Sequence, residues 1–250
     1  MADFTDRVVL VTGAGSGIGR AAAVAFAEAG AHVLGVGRRQ EALDETARAH
    51  PGIAVLAADI RAEDAPAAVV RAAVERWGRL DVLVNNAGGF TPAPLAGITA
   101  RTVDDQFALN VTAPVLLAAA ALPHLRETQG SILNVSSLYG HRPMGAGGSL
   151  YAATKAALEQ LTRSWALELA ADRVRVNAVA PGPTESEALA VSGLPAEVVE
   201  QIKQAEAARV PLGRRGDPAE VALWLLHLGD PAVTWVTGQV LTVDGGLELT

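Results

Sequence analysis

The chain has 250 residues, half of them apolar, and 20 basic against 27 acidic side chains leave a formal charge of −7. That is enough apolar material for one α/β domain of ordinary size, and with no basic stripe a nucleic-acid backbone is excluded as the expected partner. Cysteine is absent, which excludes disulfides, thiolate catalysis and cysteine-ligated metal, and no metal site is expected.

The opening Ala2-Asp3-Phe4-Thr5-Asp6-Arg7 is acidic ahead of the first apolar run, the reverse of a secretory signal. The most apolar long stretch, 113–125, holds Pro114 and Pro123 and is short for a bilayer span. No membrane partner is expected, and the cytoplasm is the expected compartment.

Strands are predicted at 7–11, 32–36, 53–57, 81–84, 131–135, 175–179 and 240–243. Helices are predicted between them at 18–29, 39–49, 62–77, 101–122, 151–171 and 217–228. Most strands are near-continuous apolar runs, as expected when both faces of a parallel sheet are covered. The alternation predicts an α/β fold in one domain, 1–250: a doubly wound parallel sheet with helices on both faces and right-handed crossovers. Segment 182–213, with Pro183, Gly193, Pro195 and Pro211, reads as an irregular connection long enough to act as a substrate lid. Ligands of such sheets bind outside the carboxyl ends of the strands, so chemical residues are expected just after strands.

The first strand runs into Thr12-Gly13-Ala14-Gly15-Ser16-Gly17-Ile18-Gly19 and a helix follows at once. Glycines permit the tight turn and let N–H groups approach a pyrophosphate at the positive end of the helix. The spacing is GxxxGxG, so the common GxGxxG fingerprint is not met to the letter, and a flexible turn is the competing reading. After the second strand, where an NAD site usually carries an acidic residue for the ribose 2′-OH, stand Gly37, Arg38 and Arg39. Two cations at a helix start suit a 2′-phosphate, which favours NADP(H) over NAD(H); a solvated arginine pair is the alternative. Asp59 and Ile60 follow the third strand, the carboxylate placed either to accept from an adenine amino group or to cap the next helix. Asn85-Asn86-Ala87-Gly88 follows the fourth; the asparagines can bond neighbouring strands and hold a crevice open, while Ala87 and Gly88 leave room for a ribose.

Tyr151 and Lys155 lie four apart on a predicted helix and so share a face. A phenol is a poor acid or base at neutral pH, and a nearby ammonium would draw it toward a useful range. Lysine is otherwise present only at 203. The fifth strand ends in Ser136-Ser137, where a hydroxyl can bond the substrate oxygen or simply form a turn. Asn110, amid apolar residues of the preceding helix, either holds a water for proton relay or is a satisfied core amide at a helix kink.

The glycine turn, Asn-Asn-Ala-Gly, Asn110, Ser137, Tyr-x-x-x-Lys and Pro181-Gly182, in this order and spacing, resemble the short-chain dehydrogenase/reductase family over essentially the whole chain, including Val243-Asp244-Gly245-Gly246. The resemblance implies a Rossmann-type domain, a catalytic Asn110–Ser137–Tyr151–Lys155 tetrad and a homotetramer. It implies that Tyr151 is the general acid/base, Ser137 positions the carbonyl, and Asn110 supports the relay. Lys155 would lower the tyrosine pKa and bond the nicotinamide ribose, and Thr184 and Ser186 would contact the nicotinamide end. Ser137 precedes Tyr151 by one residue more than similar enzymes show, which predicts an insertion within 145–149 and leaves Ser136 as the alternative serine.

The leading expectation is a hydride transfer between NADP(H) and a small-molecule ketone or secondary alcohol. A 3-oxoacyl-(acyl-carrier-protein) reductase and an NAD-dependent alcohol dehydrogenase are the enzymatic alternatives; a cofactor-sensing protein without activity is the third. Expected pocket walls are 138–150, 90–95 and 182–209, with His141, Arg142 and Met144 as candidate substrate contacts. Leu189, Val191, Leu194, Val198, Val199 and Ile202 suggest a hydrophobic substrate or, equally, an amphipathic helix.

Overall fold

A computed structural model describes residues 2–186 and 195–250; the expected lid residues Leu189, Val191 and Leu194 lie outside the described residues. The apolar strand segments form one parallel sheet in the order β3-β2-β1-β4-β5-β6-β7. Its strands are β1 (Val8–Thr12), β2 (His32–Gly37), β3 (Ile53–Ala57), β4 (Val82–Asn85), β5 (Ser131–Val135), β6 (Arg175–Pro181) and β7 (Val240–Val243). β1, β4 and β5 are buried at every position, which is why their sequences run apolar without alternation. β1 pairs with both β2 and β4, so the strand order reverses there and a crevice opens at its carboxyl end.

Helices α1 (Gly17–Glu28) and α8 (Pro218–Gly229) pack together on one face. α2 (Gln40–Ala49) follows β2. α3 (Ala65–Trp77), α4 (Ala100–Phe107), α5 (Ala113–Thr128) and α6 (Ser149–Glu168) follow in turn, and residues of α3, α5 and α6 join the core cluster of the other face. Each face thus has its own apolar layer, one built around Phe26, Leu43 and Leu225 and the other around Leu80, Leu117 and Leu125.

Three expectations change. The helix foreseen at 62 begins at Ala65, because Pro66 favours a first turn, where its missing N–H costs nothing. The helix foreseen at 101–122 is α4 and α5 joined by a π-turn at Ala108–Thr112. Pro114 occupies the first turn of α5, Pro123 lies within it, and the helix runs on to Thr128. The helical run from 100 to 128 is therefore 29 residues long and contains an 18-residue stretch of mean hydropathy 1.5, long and apolar enough for a span, although its inner side, Leu117, Ala121 and Leu125, is core. Segment 182–213 is not wholly irregular. It contains α7 (Ala196–Arg209), a run of strong helix formers released by Pro195.

At the amino end of the central strands, buried Asp81 accepts from Val8 N–H at 2.9 Å, Arg7 at 2.9 Å and Arg79 at 2.7 Å. Burial pushes its carboxyl up, but the Arg79, Val8 and Arg7 bonds together hold it below the usual range. A depressed folded value means stabilisation is complete above the unfolded value of about 4 and disappears as pH falls through the folded one. We expect Asp81→Ala to lose about 2 kcal/mol at pH 7 by urea unfolding, and the deficit to shrink toward pH 3. A loss equal at both pH values would contradict this.

Candidate active site

The site grows from the carboxyl ends of β1, β4, β5 and β6. At β1 the chain turns through Gly13, with φ of 69°, and a Cβ on Gly19 would fall 2.2 Å from the Gly13 carbonyl oxygen. That turn admits no side chain at Gly19. Ser16, at the N-cap of α1, makes no side-chain capping bond, and the first turn holds no acidic residue. Its N–H groups need an external acceptor, and the positive helix end favours an anion. This donor set fits the pyrophosphate of a dinucleotide.

Thr12 ties the two central strands together. Its hydroxyl donates to Val84 O at 3.2 Å and accepts from Asn86 N–H at 3.1 Å and Ala87 N–H at 3.0 Å. Asn86 Nδ2 donates back to Thr12 O at 2.8 Å, and Asn85 Nδ2 reaches Asn134 on β5 at 3.0 Å. The paired asparagines therefore bond neighbouring strands on both sides of β4.

Arg38 and Arg39 are exposed at the end of β2 and line the same opening as Gly37, Asp59 and Ile60. Asp59 does not cap a helix, since α3 starts later. Its carboxylate takes Arg61 Nε at 2.9 Å and Arg61 N–H at 3.1 Å. The Arg61 side-chain bonds, with the charge of Arg38 adding to them, hold it at about 2, against the pull of partial burial.

On α6, Lys155 is buried and its Nζ donates to Val135 O at 2.8 Å, 5.7 Å from the Tyr151 ring centroid. Burial lowers the Lys155 ammonium to about 8. The Tyr151 phenol moves the other way: burial raises it, with a bond to Ser137 opposing. The downward pull of Lys155 foreseen from their spacing is not what this arrangement shows, because the ammonium is turned to the β5 carbonyl. Between the two serines the geometry is clear. Ser137 meets Tyr151, whereas Ser136 Oγ donates to buried Glu159 at 3.0 Å.

Asn110 sits in the π-turn with its amide fully engaged: Nδ2 donates to Gly89 O and Thr154 Oγ1, each at 3.0 Å, and Oδ1 accepts Gly89 N–H at 3.0 Å. A Cβ on Gly88 would lie 3.2 Å from Lys155 Nζ and 3.3 Å from Asn110 Oδ1, so both groups close on that glycine.

All the residues foreseen as cofactor contacts line one cleft of about 630 Å³: Gly13, Ser16, Gly17, Ile18, Gly19, Arg38, Arg39, Asp59, Ile60, Asn86, Ala87, Gly88, Tyr151, Lys155, Pro181, Gly182, Thr184 and Ser186. Ser186 lies at the end of that cleft where α1 begins. Its Cβ is 3.3 Å from where a Gly17 Cβ would be, beside the glycine turn. His141 is held between Glu159 and Glu248 at 2.9 and 3.1 Å, and Arg142 bonds the Leu247 and Thr250 carbonyls, so both face the C-terminal turn. Leu109, Ala42 and Leu43 line the cleft unforeseen, signalled only by lying beside residues that were read.

Lys155 yields a stability test. A folded value below the unfolded one means the charged form is disfavoured by folding, with the full cost below about pH 8 and a declining cost toward pH 10. Lys155→Met is therefore expected to stabilise the protein by roughly 2–3 kcal/mol at pH 7 and by less at pH 9 in thermal or urea unfolding. A destabilised variant would overturn that account.

Comparison with known proteins agrees with this geometry. The family profile described as enoyl-(acyl carrier protein) reductase matches residues 13–248. A cis-4-hydroxycyclohexanecarboxylate dehydrogenase of Sinomonas cyclohexanicum is 41% identical over 97% of this chain and 97% of its own. A 3-oxoacyl-(acyl-carrier-protein) reductase of Thermotoga maritima is 36% identical over 97% of this chain and 98% of its own. A short-chain dehydrogenase/reductase of unknown function from Caenorhabditis elegans, whose crystal structure contains a cofactor, superposes with a TM-score of 0.93 at 32% identity, covering 99% of this chain and 97% of that one. By fold, cleft and full-length similarity, the chain belongs to the short-chain dehydrogenase/reductase family of oxidoreductases.

Proposed function

We propose that the protein reduces a small-molecule ketone to a secondary alcohol with NADP(H), using Tyr151 as the proton donor. The observation that carries the proposal is the meeting of Tyr151, Ser137 and Lys155 in the same cleft as the glycine turn and the Arg38–Arg39 pair. A bound nicotinamide dinucleotide supplies the hydride. The first turn of α1 holds its pyrophosphate, Arg38 and Arg39 take the 2′-phosphate, and Ala87 and Gly88 accommodate the ribose.

Ser137 Oγ orients the carbonyl oxygen, and Tyr151, protonated because burial raises its phenol, donates to that oxygen. Lys155, whose Nζ closes on Gly88, would bond the nicotinamide ribose. Asn110 supports the relay by fixing Gly89 and Thr154 around it. The chain works as one catalytic domain, with Gly182, Thr184 and Ser186 at the cleft; ion pairs of Glu185 with Lys203 at 2.6 Å and with Arg215 at 2.9 Å tie that end to α7 and to the residues before α8. The exposed Leu116 and Leu167 of α5 and α6 suit the interfaces of a homotetramer.

Tyr151→Phe is expected to lower kcat about 10³-fold on a ketone panel with NADPH while cofactor binding, followed by nicotinamide fluorescence, changes little. Unchanged turnover would reject the mechanism. Including a 3-oxoacyl thioester in the panel tests the reading suggested by the Thermotoga relative. NADPH is expected to outperform NADH in kcat/KM, and Gly37→Asp to move that ratio toward NADH by roughly tenfold or more, through repulsion of the 2′-phosphate and acceptance from a 2′-OH. No movement would count against the arginine site.

A further inference from the structure

The loop at 86–94 has no regular secondary structure, yet its middle is fastened from below by two buried amides one helical turn apart. Gln106 Nε2 donates to Gly89 O at 2.5 Å and its Oε1 accepts Thr91 N–H at 3.1 Å. Asn110 binds Gly89 through both its amide atoms. The residue bracketed by these bonds is Phe90. Its ring meets the Tyr151 ring at a centroid distance of 5.5 Å and an angle of 68°, an edge-on contact, and the residue, 45% exposed, lines the cleft.

Thr12 serves the start of this loop, and around Phe90 the two amides supply what a ladder would otherwise provide. Among the described residues, Gln106 is the side chain that bonds the backbone on both sides of Phe90. We propose that Gln106 is a positioning residue that holds Phe90 edge-on against Tyr151, and that Phe90 so held shields the phenol from water and selects ketones bearing an apolar substituent beside the carbonyl. The selection half rests on the reductase reading; the shielding half does not.

An aromatic edge on the phenol ring contributes area burial and a favourable quadrupole contact, and it occupies space that water would take. Excluding water disfavours the tyrosinate, in line with burial as the leading cause of the raised phenol. The other groups facing Tyr151 are Ser137 from the end of β5, Lys155 from its own helix and Tyr139 from the turn after Ser137. None of them is altered by a change at Phe90.

The chain has two tyrosines, so Tyr139→Phe leaves Tyr151 as the single phenol. In that background, absorbance titration of tyrosinate reads Tyr151 without substrate or cofactor. Phe90→Ala is expected to lower its midpoint by roughly half a unit or more, and Gln106→Met to lower it in the same direction by less. An unchanged midpoint in Phe90→Ala overturns the shield. A shift there with none in Gln106→Met overturns the positioning role. If Gln106→Met unfolds on a thermal melt, Gln106→Glu takes its place, keeping the acceptor for Thr91 while losing the donor to Gly89.

In the ketone panel, Phe90→Ala is expected to cut the kcat/KM preference for an aryl over a dialkyl ketone about tenfold, and an unchanged preference overturns the selection half. Should the parent protein reduce no ketone at all, the reductase reading fails and the titration still decides the shield.

Discussion

The hydroxyl of Thr12 stands where two central parallel strands part company, and most of the site depends on what it does there. One side chain, 1% exposed, serves a carbonyl of β4 and two N–H groups of the turn that follows it. Parallel strands that separate at a topological switch leave such groups without ladder partners, and burying them unpaired would cost on the order of 1–3 kcal/mol each. A short hydroxyl with one donor and two acceptor positions can meet all three at once. With the Asn86 amide returning to Thr12 O, the glycine turn and the Asn-Asn-Ala-Gly turn are fixed relative to each other, so the two halves of the cleft share one anchor.

Around that anchor, folding and chemistry pull in opposite directions. Lys155 is buried with its ammonium bonded to Val135 O, and burial raises the Tyr151 phenol. A hydrophobic residue at 155 would serve the core better. Retaining a desolvated ammonium next to a phenol is the kind of local cost that marks functional sites, and the two apolar layers of the sheet supply the surplus that tolerates it. The neighbouring groups shift in opposite directions, the phenol up and the ammonium down, and burial is the leading cause of both.

Buried polar side chains carry much of the remaining organisation. Gln106 and Asn110 hold the loop beside Tyr151, and Glu159 holds Ser136 away from it. The close approach of Gly140 to Glu159, where a Cβ would fall 2.2 Å from Oε1, brings the serine turn onto α6. His141 and Arg142, which looked like substrate contacts, are instead drawn to Glu248 and to carbonyls of the C-terminal turn.

The strands, their parallel arrangement and the residues at their carboxyl ends could be read from residue order, because continuous apolar runs and glycine turns express local constraints that need no knowledge of distant partners. The glycine turn is legible for that reason, and Tyr151 and Lys155 are legible through their spacing and the family resemblance. The helix at 196–209 was obscured by surrounding prolines and glycines, and the π-turn at Asn110 has no local signature. Which serine faces the phenol, where Ser186 lies, which way the Lys155 ammonium points and what Gln106 fastens all depend on contacts between segments far apart in the chain. Those are settled when helix α6 packs on the sheet and buried polar groups take the partners that packing leaves within reach.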